Sequence, residues 1–411
     1  MSQSRRTVFP VEFIRAIPKT DLHLHLDGSL RIATLLELAQ AEGLELPGAS
    51  EAELRRAVFK DSYADLPEYL QGFAYTCAVM RRAEHLERIA YELAQDNLAE
   101  NVCYCEVRFA PQLHIHETLS LAEIVRAVCR GLERAKQEHN QGAAVRAGAA
   151  LPFDFGVIVC AMRSFHRDMS LYYRRLFEVM QYARPQEVYA TASLELARAA
   201  VALAHEEGLP VVGFDLAGEE AGFPAVHHRD AYQYVHRHFL RKTVHAGEAY
   251  GPESIFQAIT ECQANRIGHG TFLFAADRVS DALIPDPERY VSYLAEYIAS
   301  QRIAIEVCPT SNLQTIPGLG NVGNHPLRQM IEHNLSVCIC TDNRLVSNTT
   351  VTEELWKVTD ALPLTPSQFQ NLVLAGFKGS FFPGSYLEKR RYVRAVLDRY
   401  GALEQQYHVR S

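Results

Sequence analysis

KTVHAGEAYGPESIFQAITECQANRIGHGT, residues 242–271, carries the pattern that decides the fold. The β-branched run KTVHAGE breaks at a turn, a helical pattern follows, and the short apolar run RIGHGT completes a strand, helix, strand unit. The same rhythm extends in both directions. Strand-forming runs recur at PKTDLHLH (18–25), VCYCEVRFAP (102–111), GVIVCAMRS (156–164), PVVGFDLAG (210–218), KTVHAGE (242–248), RIGHGT (266–271), IAIEVCPTS (303–311) and SVCICTDN (336–343). Eight such units, with no linker rich in proline, glycine or serine between them, predict an α/β protein. The expected fold is a closed (β/α)8 TIM barrel in one domain over residues 1–411, rather than a doubly wound open sheet.

The segment between the first two strands is too long for a simple crossover. Residues 30–101 hold four helical patterns, LRIATLLELAQ, ASEAELRRAVF, LPEYLQGFAYTCAVM and EHLERIAYELAQDNLAE, which read as an inserted helical cap. An insertion after a strand falls over the C-terminal face of a barrel, where it can exclude water from a site. TPSQFQNLVLAGFKGSFF and SYLEKRRYVRAVLDRYGALEQQY read as extra C-terminal helices of the outer ring. A composition of 48% hydrophobic and 22% charged residues with net charge −8 argues against nucleic acid as a partner and favours a small-molecule substrate. No run approaches the ~20 apolar residues of a membrane span. The opening MSQSRRTVFPVEFIRAIPKT lacks the apolar core of a leader, so the chain is expected in the cytoplasm. Nine scattered cysteines without CxxC pairs read as reduced thiols, with Cys103, Cys105, Cys338 and Cys340 as core filling.

Chemistry gathers at the predicted strand ends. In TDLHLHLDGSL, His23 and His25 project to one face of their strand, ~7 Å apart along the chain and able to converge on one ion. Asp215, Gly218, His245, Glu248, His269, Asp342 and Asn343 also fall at C-terminal strand ends, which a barrel brings together. By contrast, His227, His228, His236 and His238 lie in a helical stretch, PAVHHRDAYQYVHRHF, and read as a solvated face. Three imidazoles, His23, His25 and His245, with the Asp342 carboxylate, suit zinc with water in the remaining position, although iron or manganese would accept the same donors. Such an ion lowers the pKa of a coordinated water toward ~7. Glu248, just after His245, suits a proton donor, and His269 suits a group that orients the attacking oxygen or takes its proton.

The strings DLHLHLDGSL, GFDLAGEE, TVHAGE, RIGHGT, EVCPTSN and CTDN occur in an order that resembles the adenosine deaminase family, a metal-dependent branch of the amidohydrolase barrels. The resemblance covers most of the chain. It implies that His23, His25, His245 and Asp342 bind one zinc ion per subunit, that Glu248 protonates the purine nitrogen beside the reacting carbon, and that His269 and Asp342 position the nucleophile. It further implies that Asp27 meets the ribose hydroxyls with His25 against the sugar, and that the Gly218 amide bonds a purine nitrogen. The expected partner is a purine nucleoside, adenosine or 2′-deoxyadenosine, deaminated hydrolytically to the inosine product and ammonia.

One position departs from the pattern. Many relatives carry a second aspartate where this chain has Asn343. An asparagine amide donates directly to a purine nitrogen acceptor, so Asn343 is expected to keep the contact. An Asn343→Asp protein more active on adenosine across neutral pH would contradict that argument. Other adenine compounds, namely adenine, N6-methyl-AMP or aminodeoxyfutalosine, would use the same chemistry, but no basic cluster for a phosphate is evident in the sequence. The fourth strand ends in GFDLAGEE without the lysine of two-metal relatives, which favours one metal. An inactive nucleoside-binding relative would show damage at a ligand or at Glu248, and none is visible. Phe73, Phe153 and Phe155 are candidates for pocket wall or for core.

Overall fold

The computed structural model describes residues 9–409. Eight strands pair in sequence order, all parallel: β1 (Lys19–His25), β2 (Val102–Phe109), β3 (Asp154–Met162), β4 (Val211–Ala217), β5 (Arg241–Ala246), β6 (Arg266–His269), β7 (Ala304–Val307) and β8 (Ser336–Ile339). The ring closes beyond β8. His25 N donates to Asp342 O and Asp342 N to His23 O, both at 2.8 Å, so residues singled out for chemistry also join the last strand to the first. The expected TIM barrel is therefore present, with helices around it.

Every residue of β1, β2 and β4 is buried, which explains why these strands read as nearly continuous apolar runs. Charged side chains on β2 and β6 reach across the interior to strands that are not neighbours, and one further pair, Arg266 with Glu306, joins the adjacent β6 and β7. Arg108 on β2 meets Asp215 on β4 and Glu306 on β7, each at 2.8 Å, and Arg266 on β6 meets Glu106 on β2 and Glu306. Charges taken this far from water persist only when paired.

The insertion after β1 divides into two parts. Helices Ile32–Glu42, Glu51–Ala57, Leu66–Leu70 and Phe73–Val79 form the cap. The pattern LPEYLQGFAYTCAVM thus breaks in two at Gln71 and Gly72. The last predicted helix, Ala83–Ala99, packs instead on β2 and on helix Leu121–Asn140 as part of the outer ring. That approach is close enough that a Cβ at Gly131 would fall 2.1 Å from the Glu87 carbonyl. Helices Pro366–Gly379 and Tyr386–Gln406 each begin with a capping box, and the first lies on β8 and β1.

Phe153 and Phe155 belong to the core. His228 departs from expectation: it is buried, with Nδ1 2.7 Å from Ser193 Oγ, while His227 and His236 remain exposed. Residues Ala225–His228 form a short 3-10 turn before helix Arg229–Arg237, which rotates His228 inward from the face that a continuous helix would give it. No described helix is long and apolar enough to cross a membrane. The first eight residues of the opening stretch, on which the leader argument partly rests, lie outside the described residues.

Candidate active site

His23 and His25 from β1, His245 from β5 and Asp342 just past β8 converge, with donor atoms all within 4.8 Å of one another. His245 Nε2 stands 3.0 Å from His23 Nε2 and 3.1 Å from His25 Nε2, and Asp342 Oδ1 is 3.4 and 3.5 Å from the same two nitrogens. Donors at the usual 2.0–2.1 Å from a tetrahedral ion stand about 3.3 Å apart, so the set fits one metal ion. Three of the four donors, His23, His245 and Asp342, are also held from behind. Glu306 Oε2 lies 2.9 Å from His23 Nδ1, Asp215 Oδ2 lies 3.1 Å from His245 Nδ1, and Ser311 Oγ donates to Asp342 Oδ2 at 2.6 Å. A carboxylate behind Nδ1–H fixes the tautomer that leaves the Nε2 lone pair free to ligate. Burial alone would raise both carboxyl groups. Arg108 and Arg266 beside Glu306, and His245 with Arg108 beside Asp215, hold them well below the ordinary carboxylate range instead.

Backbone strain marks the same place. His269 and Asp342 adopt φ of 65° and 63°, the left-handed region that non-glycine residues occupy at a cost of about 1–3 kcal/mol. The Asp342 amide is tied to His23 O at 2.8 Å, which keeps the residue in that conformation.

Glu248 sits on the loop after β5, and a single carboxylate fixes that loop. Glu220 accepts the backbone N–H groups of Gly247, Glu248, Ala249 and Tyr250 at 2.7–3.0 Å, as well as the Ser254 hydroxyl. Burial raises the Glu248 carboxyl to about 8, so it is protonated at neutral pH. His269 Nε2 lies 3.5 Å from Glu248 Oε1. A chain of buried hydrogen bonds sets its tautomer. Leu327 N–H donates to His325 Nδ1 at 3.0 Å, so neutral His325 carries its proton on Nε2 and donates to Asn312 Oδ1 at 3.1 Å. The Asn312 amide group then donates to His269 Nδ1 at 3.0 Å, which leaves the His269 proton on Nε2. Burial holds His325 down at about 4 and His269 well below the ordinary histidine value, so both are neutral. The arrangement makes His269 a donor toward the site, which favours its orienting role over the proton-accepting one.

A cavity of about 1140 Å³ opens from this cluster to the surface beneath the cap. His25, Asp27, Gly218, His245, Glu248, His269, Asp342 and Asn343 all face it. His23 lies behind them, fully buried. Cap residues Leu66, Tyr69 and Phe73 form an apolar wall. Asn343 Nδ2 donates to Tyr69 Oη at 2.8 Å, which uses one of its two amide hydrogens. Gly28 packs so closely on this side chain that a Cβ would fall 1.8 Å from Asn343 Oδ1. At the exposed end stand Arg81, Arg82, His116, His166 and Arg174. Arg82 is engaged by Glu42 at 2.7 Å and Arg174 is 3.8 Å from Asp168, whereas Arg81 has no ion-pair partner among the described residues. These residues come from three separate connections, and only the fold assembles the basic rim that the sequence did not reveal. Sequence reasoning also missed Arg108, Glu220, Glu306, Ser311 and Asn312. Two signals were available: Glu306, Ser311 and Asn312 lie in EVCPTSN, and Glu220 lies in GFDLAGEE.

A parallel (β/α)8 barrel with three histidines and an aspartate gathered at its C-terminal face is the architecture of a metal-dependent hydrolase. The family model described as adenosine deaminase matches residues 18–192 and 144–398. The adenosine deaminase of Mycobacterium marinum is 35% identical over 373 residues, covering 90% of this chain and 92% of its own. That of Mycobacterium leprae is 35% identical over 384 residues, covering 92% and 94%. The chain belongs to the adenosine deaminase family. Among solved structures, an amidohydrolase from Burkholderia ambifaria with bound Zn aligns with TM-score 0.74 at 19% identity, covering 100% of this chain and 98% of that one. The Arabidopsis N6-mAMP deaminase aligns with TM-score 0.70 at 23% identity, covering 94% and 99%. At these identities the solved structures speak to the fold.

Proposed function

We propose that this protein hydrolyses adenosine and 2′-deoxyadenosine to inosine or deoxyinosine and ammonia, in the cytoplasm, with one zinc ion held by His23, His25, His245 and Asp342. The observation that carries this reading is the pairing of a three-histidine, one-aspartate cluster with a buried, protonated Glu248 on one cavity wall. Zinc held by those four residues would supply a Lewis acid that lowers the pKa of water toward ~7.

The chain's own groups do the rest. Glu248 gives its proton to the purine nitrogen next to the carbon under attack, so that negative charge does not build up in the ring. His269 donates from Nε2 and orients the attacking oxygen. Gly218 N–H and the second amide hydrogen of Asn343 hold the purine edge, while Asp27 and His25 meet the sugar. Leu66, Tyr69 and Phe73 from the cap exclude water.

A second reading, an adenine nucleotide, is favoured by one feature, the basic rim around Arg81, which has no ion-pair partner among the described residues. The test is ammonia release from the zinc-loaded protein with adenosine, 2′-deoxyadenosine, adenine, AMP and N6-methyl-AMP side by side. Adenosine and 2′-deoxyadenosine are expected to lead. A higher kcat/KM for either nucleotide would overturn the nucleoside assignment.

A further inference from the structure

The outer ring leaves an aromatic face uncovered. Helix Pro252–Thr260, after β5, packs beside helix Pro287–Gln301, after β6. Phe256 on the first is 46% exposed, and Tyr293 and Tyr297 on the second are 56% and 49% exposed. Tyr290 joins them, its ring 6.1 Å from that of Phe256. Exposed Tyr250 and Leu283 extend the patch toward the helix starts, where Glu253 Oε1 accepts from the Ser280 and Asp281 N–H groups and ties the two entry loops together. An aromatic side chain presents ~200 Å², so three half-exposed rings leave roughly 300 Å² in water. Contiguous patches of that size mark contact surfaces on soluble proteins.

The charges on this face select what covers it. Helix Pro287–Gln301 turns Val291, Leu294, Ala295 and Ile298 inward. Arg289, Ser292, Tyr293, Glu296, Tyr297 and Ser300 are exposed, as the 3.6-residue period requires of the opposite stripe. Arg289 and Glu296 stand two turns apart, ~10 Å along the axis. Neither has an ion-pair partner among the described residues. Tyr293 holds Arg289 on the face, since Arg289 Nε donates to Tyr293 Oη at 2.8 Å. Opposite charges at the two ends of an aromatic centre make the stripe complementary to its own reverse. When a second copy approaches antiparallel, about a two-fold axis beside Tyr293, Arg289 of each chain falls opposite Glu296 and Tyr297 of the other, and the rings pack between. The charges of Arg289 and Glu296 also cancel, so two chains of net charge −8 can meet here with little like-charge repulsion.

We propose that this face, with Tyr293 at its centre, is the interface of a two-fold dimer of this chain. None of its residues lines the active-site cavity, so each copy keeps its own site.

The test is the mass of the full, zinc-loaded chain in solution, read by sedimentation velocity over a range of concentrations. Wild type is expected at twice the chain mass. Arg289→Glu and Glu296→Arg each set like charges together at two symmetry-related points, and each should weaken association by about 100-fold or more. The double variant Arg289→Glu/Glu296→Arg reverses both charges and should recover association to within about 10-fold of wild type, a rescue that misfolding cannot imitate. Tyr293→Cys gives a measurement independent of charge. Its two sulfurs meet across the axis and should cross-link with an added thiol oxidant, whereas the native cysteines are buried or, for Cys77, half-buried. A wild type that stays monomeric at every concentration would overturn the proposal. So would a dimer that both single reversals leave intact, a double variant that does not recover, or a dimer in which Tyr293→Cys fails to cross-link.

Discussion

Arg108 makes the sharpest prediction, because one buried cation supports two of the histidines in the metal cluster. It is fully buried and bonds Asp215 Oδ2 and Glu306 Oε2, each at 2.8 Å. Those carboxylates sit 3.1 Å behind His245 and 2.9 Å behind His23. Replacing Arg108 by methionine keeps much of the volume and removes the charge. Glu306 retains Arg266 at 2.5 Å and Thr243 at 3.0 Å, so its loss is partial. Asp215 retains His245 and the Leu216 amide but no permanent cation, and it bears the larger part. Breaking a buried pair from one side costs about 3–5 kcal/mol, a large share of the 5–15 kcal/mol that holds a domain folded. Loss of support behind the histidines should also weaken metal binding by about 10- to 100-fold. Urea unfolding followed by circular dichroism, and zinc retention against a graded chelator, measure the two effects. The double variant Arg108→Met/Asp215→Asn separates causes. If an unpaired carboxylate is the penalty, neutralising it restores stability toward the parent while zinc affinity stays low. An Arg108→Met protein with parent-like stability and zinc retention would refute the reasoning.

Three other expectations follow from the same geometry. Glu248 is raised to about 8 by burial, so its proton is available below that pH and is lost above it. The kcat/KM profile should therefore fall on the alkaline side near pH 8, and Glu248→Gln should keep its zinc while losing about 10²- to 10⁴-fold in kcat; a parent rate in that variant would sink the assignment. Asn312→Asp replaces the donor to His269 Nδ1 with an acceptor and should move the histidine's proton from Nε2 to Nδ1. Nitrogen-15 shifts of His269 report the tautomer directly, and unchanged shifts with unchanged kcat would defeat the relay. His228, buried on Ser193, is lowered to about 3, below its unfolded value near 6.5, because burial disfavours the charged ring. Its contribution to stability is full above pH 6.5 and is lost as pH falls from there toward 3, at about 1.4 kcal/mol per pH unit. A His228→Gln protein should show a shallower acid loss in urea titrations at pH 7, 6 and 5, and an identical slope would contradict the account.

What the sequence disclosed, and what it withheld, divides along a physical line. The eight strands were legible because a parallel barrel buries both faces of each strand, and runs such as VCYCEVRF and GVIVCAM can hardly be anything else. The convergence of His23, His25, His245 and Asp342 was legible for a related reason: strand ends on one rim of a barrel meet whatever their separation along the chain. Their support was announced in part, since Asp215 stands at a strand end and Glu306 and Ser311 lie in EVCPTSN, but nothing local marked Arg108. Arg108 meets Glu306 across 198 positions and through the barrel interior, where the pairing depends on the diameter and stagger of the closed sheet rather than on any repeat. The same holds for the basic rim, assembled from Arg81, His116, His166 and Arg174 in three separate connections of the barrel. His228 failed in the opposite sense, since a single 3-10 turn at Ala225–His228 shifted the helical phase and carried a polar-looking ring inside. Positions set by the period of one element can thus be read from that element alone. Positions set by closure, such as Arg108 between Asp215 and Glu306, become visible only once the ring is shut.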